Sequence, residues 1–321
     1  MTKAWVPTMV LACLLAGSVE AEMVYVTLEK DNAIAVVDAS SQKLIATHEI
    51  GQRPRGIALS KEGRHLFVAV SDDDTILMID TEDFSVVGRL PSGEDPETFV
   101  LGAEGKRLYV SNEDDNLVTV IDIVSGKVIK TIPVGVEPEG IASSPDGQWI
   151  VSTSETTNMV HWIDPATLEI IDNTLVDPRP RAAAFTADSK QLWVTSEIGG
   201  SLQVIDVESR QQVKRVTFEI PGVRPEKIQP VGVVIDRERK FGYVAIGPAN
   251  RVAVVDAATL EVKDYLLVGQ RVWNLAFSPD QKRLYTTNGV SNDISIIDLG
   301  EHRVLKSLVV GRYPWGVVAK P

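Results

Sequence analysis

Seven short stretches of this 321-residue sequence resemble one another: GQRPRG, GEDPET, GVEPEG, DPRPRA, PGVRPEKIQP, GQRVWN and GRYPWG. Five carry arginine: Arg53 and Arg55, Arg179 and Arg181, Arg224, Arg271, and Arg312. A guanidinium offers paired N–H donors in one plane, which suits a carboxylate or a phosphate. The other two are acidic, with Glu94, Asp95 and Glu97, then Glu137 and Glu139. Trp273 and Trp315 follow Arg271 and Arg312 closely. Such rings can stack on a planar ligand or anchor a partner, or they can plug a core; both readings stand. Brought to one place, these stretches would form a basic arc beside an acidic sector. Asn250, Asn274, Asn288 and Asn292 fall in neighbouring loops and could add hydrogen bonds. The alternative is that the arginines bridge structural neighbours by pairing with turn carboxylates.

Other chemistries find little support. Cys13 is the only cysteine and sits in the N-terminal apolar stretch, so the remaining chain has no disulfide, Cys-zinc site, CxxCH haem attachment or Cys nucleophile. His48, His65, His161 and His302 show no metal-ligand spacing, and no GxSxG occurs. The acidic runs Asp72-Asp73-Asp74 and Glu113-Asp114-Asp115 lack the spacing and the glycine of a Ca²⁺ loop. They read as solvated turns. No catalytic residue and no metal site is expected.

Net charge is −12, which argues against wrapping nucleic acid. Lys3, the apolar run from Val6 to Gly17, and Val19-Glu20-Ala21 read as an export signal cut after Ala21. The apolar run is too short to span a bilayer, and it continues past Cys13, against lipidation there. A cleaved signal makes the expected location periplasmic. Removing residues 1–21 takes away Lys3 and Glu20, so the charge stays −12.

The elements that must position these residues are written in a repeat. IAVVD, ILMID, VTVID, VHWID, LQVID, VAVVD and ISIID end at Asp38, Asp80, Asp122, Asp164, Asp206, Asp256 and Asp298. The spacing is 42 throughout, except for 50 between Asp206 and Asp256. A second short strand precedes each, as in YVSN at Tyr109; a third lies upstream, as in GIASS; a fourth follows, as in KVIKTIPVG. Four short β-rich segments per 42 residues predict an all-β, seven-bladed propeller with four antiparallel strands per blade. Both residues before each Asp are apolar, so each sheet must be covered on both faces, which neighbouring blades do. The seven Asp residues themselves read as turn formers. The first repeat starts at its second strand and the last stops after its first. The C-terminal strand should therefore complete the N-terminal blade and close the ring, making residues 22–321 one domain. In a propeller the seven arginine-bearing and acidic stretches all border one mouth of the channel. The eight extra residues, near Pro221 to Pro230, fall at that mouth too.

YVSN, VTVID and GVEPEGIASSPDG resemble the YVTN-repeat β-propellers over the whole mature chain. DPRPRAAAF, FEIPGVRPEKIQPVG, GPANRVAVVDA, VGQRVWNLAFSPD, TTNGVSNDISIID and VGRYPWGVVAKP resemble more particularly the exported β-propellers associated with PQQ-dependent catabolism. That resemblance implies a non-catalytic accessory or binding protein of quinoprotein alcohol oxidation, monomeric, with a quinoprotein dehydrogenase or a c-type cytochrome as partner. No cofactor is implied for the chain itself, although PQQ is a planar tricarboxylate to which an arginine arc with tryptophan is chemically suited. Seven-bladed propellers also include lactonases, so a hydrolase acting at the same mouth is the rival expectation. The expected binding residues are Arg53, Arg55, Glu139, Arg179, Arg181, Arg224, Asn250, Arg271, Trp273, Asn274, Asn288, Arg312 and Trp315.

Overall fold

The computed structural model describes residues 22–320, so the export signal lies outside the described residues. Seven four-stranded antiparallel sheets follow one another around a ring. The innermost strands, from blade 2 onward, are Pro54–Leu59, Pro96–Leu101, Pro138–Ser143, Pro180–Phe185, Pro230–Ile235 and Val272–Phe277. Blade 1 takes its innermost strand, Pro314–Lys320, from the C-terminus. That strand pairs antiparallel with Met23–Leu28, so the ring closes as the repeat predicts. Six innermost strands open with proline. The first residue of a strand tolerates the missing N–H and benefits from the fixed φ.

The repeat explains the packing. Tyr25, Phe67, Tyr109, Trp193, Tyr243 and Tyr285 occupy one position of the second strand, and each is buried in a seam between blades. Blade 4 has the smaller Val151 there. Trp162 of its third strand supplies the aromatic ring instead, edge-on to Phe185 of blade 5. Each such side chain contributes roughly 1.5–3 kcal/mol by leaving water.

The seven strand-ending Asp residues are turn formers, as their sequence context suggests. Asp38 Oδ1 accepts the N–H of Ser40 at 2.8 Å, and Asp122 Oδ1 that of Ser125 at 2.7 Å. Asp80, Asp164, Asp206, Asp256 and Asp298 do the same. These bonds hold the Asp38 and Asp122 carboxyls below the usual carboxylate range.

Around the channel the innermost strands nearly touch. A Cβ on Gly316 would lie 2.5 Å from the Arg55 carbonyl oxygen, and one on Gly232 2.5 Å from that of Trp273. Hydroxyls bind the same row of carbonyls: Thr27 Oγ1 donates to Arg55 O at 2.8 Å, and Thr287 Oγ1 to Trp315 O at 2.7 Å. The walls that carry the candidate site are therefore fixed by backbone contacts as well as by packing.

Candidate functional site

One latch recurs six times at the mouth. Asn32, Asp74, Asn116, Asn158, Asn250 and Asn292 sit just before the third strands with positive φ. Asn and Asp tolerate that region better than other side chains. Each side-chain oxygen accepts the N–H of the residue 21 positions on, at 2.8–3.1 Å. Those donors are Arg53, Asp95, Glu137, Arg179, Arg271 and Tyr313, which also have positive φ. Asp73 and Asp115 support the same loops by accepting the N–H groups of Gln52 and Glu94 at 2.9 and 2.7 Å. Much of each acidic run is therefore a turn device. Asn250 and Asn292 are latches whose side-chain oxygens accept a loop N–H.

The latched residue hands the chain to the innermost strand, whose second residue faces the mouth. Around the ring this residue is Arg55, Glu97, Glu139, Arg181, Val231, Trp273 and Trp315. Arg181 Nη2 stands 2.9 Å from Glu139 Oε1, and Arg181 also pairs with Glu155. Arg53 reaches Asp95 at 2.9 Å and Glu97 at 3.1 Å, while Arg55 pairs with Glu97. Arg179 lies 2.8 Å from Glu155 and 3.2 Å from Glu197. Arg271 lies 3.0 Å from Glu197, donates to Gln229 Oε1 at 3.2 Å, and stacks on Trp273 at 4.3 Å. Arg55 lies over Trp315 at 5.5 Å.

Two of these carboxylates, and Glu29, which Arg55 approaches at 3.9 Å, escape a reading of the loops alone. Glu155, Glu197 and Glu29 follow second strands, at the repeat position that also holds Glu113. The spacing of 42 that revealed the blades links Glu113, Glu155 and Glu197, so the signal was present. Glu113 itself corrects an expectation: it lies in the turn, as expected, but half-buried against Glu97 rather than solvated.

The arginines do not form a free basic arc beside a separate acidic sector. Arg53, Arg55, Arg179, Arg181 and Arg271 are knitted to Glu29, Asp95, Glu97, Glu139, Glu155 and Glu197, with Glu113 beside Glu97. With every group charged, the ring has two negative charges in excess. Burial, with repulsion from Glu139, pushes Glu97 well above the ordinary carboxylate range despite the pull of Arg55. Burial and Glu139 likewise raise Glu113. Burial also lifts Glu155 to about 7, although Arg181 and Arg179 oppose it. Burial works against the Arg181 charge, but Glu139, Glu155 and Glu197 more than offset it. Arg271 differs: burial lowers its pKa, with Glu197 opposing and Arg181 adding repulsion.

A planar tricarboxylate does not fit this donor set. Its charges would meet guanidiniums already paired with carboxylates of the ring. Carboxylate oxygens of Asp95, Glu97 and Glu113 lie within 4.8 Å of one another. Arg53 and Arg55 already pair with the first two.

Other expected residues lie outside the ring. Arg224 is three-quarters exposed and pairs with Glu226 in the short 3₁₀ turn Pro225–Lys227 of the insertion. Arg312 is two-thirds exposed and pairs with Asp31 at 2.5 Å. Asn288 is fully buried, donating to Asp293 Oδ1 at 2.6 Å and Ser295 Oγ at 3.0 Å. Its polar groups serve the blade interior. The insertion still reaches the mouth through Gln229, the partner of Arg271. Trp273, Asn274 and Trp315 line the channel just inside, together with Glu139 and Arg181. His161 is a packed residue: its Nε2 accepts the Gly135 N–H at 2.9 Å, and its Nδ1 faces Asn173 Oδ1.

Among known proteins, the choice-of-anchor I domain matches residues 120–286, and a YNCE-like beta-propeller matches residues 5–147. No curated protein matches the chain significantly. Among solved structures, a hydrazine synthase chain of Kuenenia stuttgartiensis superposes with a TM-score of 0.79 at 20% identity, covering 86% of this chain and 92% of that one. A functionally unknown protein of Desulfotomaculum acetoxidans gives 0.80 at 17% identity, covering 92% and 98%. A Bacteroides fragilis protein provisionally named a 6-phosphogluconolactonase gives 0.78 at 16% identity, covering 95% and 99%. At these identities the likeness shows the propeller fold alone.

Proposed function

We propose that this chain, which belongs to the choice-of-anchor I domain family, is an exported, periplasmic and non-catalytic binding propeller that receives a protein partner on the mouth of its channel. The observation that carries this reading is the ring itself. Its charged side chains are fixed by one another and by latched loops, which gives a preorganised face rather than mobile groups awaiting a small anion. Charged groups held in such a face select partners and set the association rate more than they add affinity. The sequence resemblance to propellers of PQQ-dependent catabolism supports a quinoprotein dehydrogenase or a c-type cytochrome as that partner.

Affinity capture tests this directly. The mature chain is immobilised, periplasmic extract from alcohol-grown cells is passed over it, and the retained proteins are identified by mass spectrometry. Recovery of a quinoprotein dehydrogenase or c-type cytochrome, lost with Arg271→Glu/Arg312→Glu, is expected. An empty column, or capture indifferent to the two substitutions, overturns the mouth as the docking face.

A second reading is a lactone hydrolase working at the same mouth. It is favoured by Glu155, whose carboxyl at about 7 could exchange a proton near neutrality. Against it, Glu155 is tied to Arg179 and Arg181 and its side chain is nearly inaccessible. Lactone hydrolysis measured with and without divalent metal separates the two readings.

A further inference from the structure

Just inside the charged ring the channel holds a cavity of about 180 Å³. Its lining changes character with depth. At the mouth side it meets Glu139, Arg181 and Trp273, the second residues of their strands. Two residues deeper it meets Ile141, Ala183, Val233 and Leu275, one from each of four consecutive blades. Innermost strands start at the mouth and rise about 3.3 Å per residue, so this apolar row lies some 7 Å further in.

The only charged groups in the lining are Glu139 and Arg181, paired with each other at 2.9 Å. An ionised ligand would have to take one of them from its partner, at the cost of leaving a buried charge uncompensated. A neutral ligand would not. Between the pair and the apolar row stands Asn274. Its Nδ2 donates to Trp315 O at 3.0 Å, and among the described residues nothing donates to its Oδ1. That oxygen lies 3.4 Å from where a Cβ on Gly232 would stand, and Gly232 also lines the cavity. A cavity that takes one water per 10–15 Å³ has room for on the order of ten non-hydrogen atoms.

We propose that this cavity binds a small uncharged amphiphile, its aliphatic body on the row Ile141, Ala183, Val233 and Leu275 and its single hydroxyl donating to Asn274 Oδ1. The inference goes beyond partner docking and does not depend on it. Capture without amphiphile binding defeats this inference alone; amphiphile binding with an empty column defeats only the docking.

The test uses the mature chain with three probes of equal length: 1-hexanol, hexanoate and hexylammonium. Saturation-transfer NMR and calorimetry at neutral pH read their affinities. Saturable hexanol binding in the millimolar range, at least ten-fold tighter than either ion, is the expected result. Ala183→Leu, which fills the apolar row, should weaken hexanol ten-fold or more, with near-UV circular dichroism confirming the fold. The preference of the unsubstituted chain decides the matter if that variant fails to fold. Absence of saturable hexanol binding, equal or tighter binding of either ion, or unchanged binding by folded Ala183→Leu overturns the proposal.

Discussion

Arg181 and Glu139, second residues of neighbouring innermost strands, meet at 2.9 Å where the channel opens. Both side chains are at least nine-tenths buried. Glu155 and Glu197 crowd the same guanidinium, so Arg181 ties two neighbouring blades together. Removing one partner of such a group leaves charge without compensation. Arg181→Met should cost about 3–5 kcal/mol of stability, read from the urea midpoint. Adding Glu155→Gln should recover part of that loss, because one of the stranded carboxylates is then gone. A single-variant loss near zero, or a double variant worse than the sum, contradicts the role given to Arg181.

Stability should depend on pH through Glu155. Its carboxyl titrates at about 7 in the folded chain, against an ordinary value of 4.5. Between those values the folded state holds a proton that the unfolded chain has released. This contribution is complete below about pH 4.5 and is lost as pH rises through about 7. Over that interval it amounts to at most about 3 kcal/mol. The melting temperature should fall between about pH 5 and about pH 8. Glu155→Gln should flatten that fall, and an unchanged profile would contradict the assignment.

The latches make a sharper comparison. Asn116 has φ of 57° and its Oδ1 accepts the Glu137 N–H at 3.0 Å. Asn116→Ala loses both the acceptor and the tolerance of that backbone region, costing about 2 kcal/mol. Asn116→Gly keeps the backbone and loses only the acceptor, costing about 1 kcal/mol. Asn116→Asp keeps both, as Asp74 does in blade 2, and should be nearly neutral. Thermal unfolding of the three variants should rank Asp, Gly, Ala; any other order undoes the latch.

These latches show how far sequence reasoning reaches here. Blade number, strand order and ring closure follow from one period, because each blade needs its neighbours' apolar faces. The mouth loops were legible for the same reason. The pairing within the mouth was not. Arg181 finds Glu155 through the curvature of the ring, although the two lie 26 positions apart and in different blades. Arg224 and Arg312 look like Arg181 as letters, yet local carboxylates hold them outside. Only the side-chain directions separate them.

The close approach of innermost strands predicts an asymmetry between glycines. Gly316→Ala would put a methyl 2.5 Å from the Arg55 carbonyl oxygen and should cost about 1–3 kcal/mol. Gly222, in the insertion, has open space around it and φ of 77°. Gly222→Ala should cost only the backbone strain, about 1 kcal/mol. Denaturant midpoints that rank the two the other way would contradict the tight channel wall.

The central claim is that the mouth, and not the opposite end, receives the partner. Hydroxyl-radical footprinting of the mature chain, with and without periplasmic extract from alcohol-grown cells, measures this most directly. Trp273 and Tyr313 report on the mouth, while Phe84 and Trp149 report on the far end. The account predicts that oxidation of Trp273 and Tyr313 falls in the extract while Phe84 and Trp149 react as before. Protection of Phe84 and Trp149 alone, or no protection at the mouth, would contradict it.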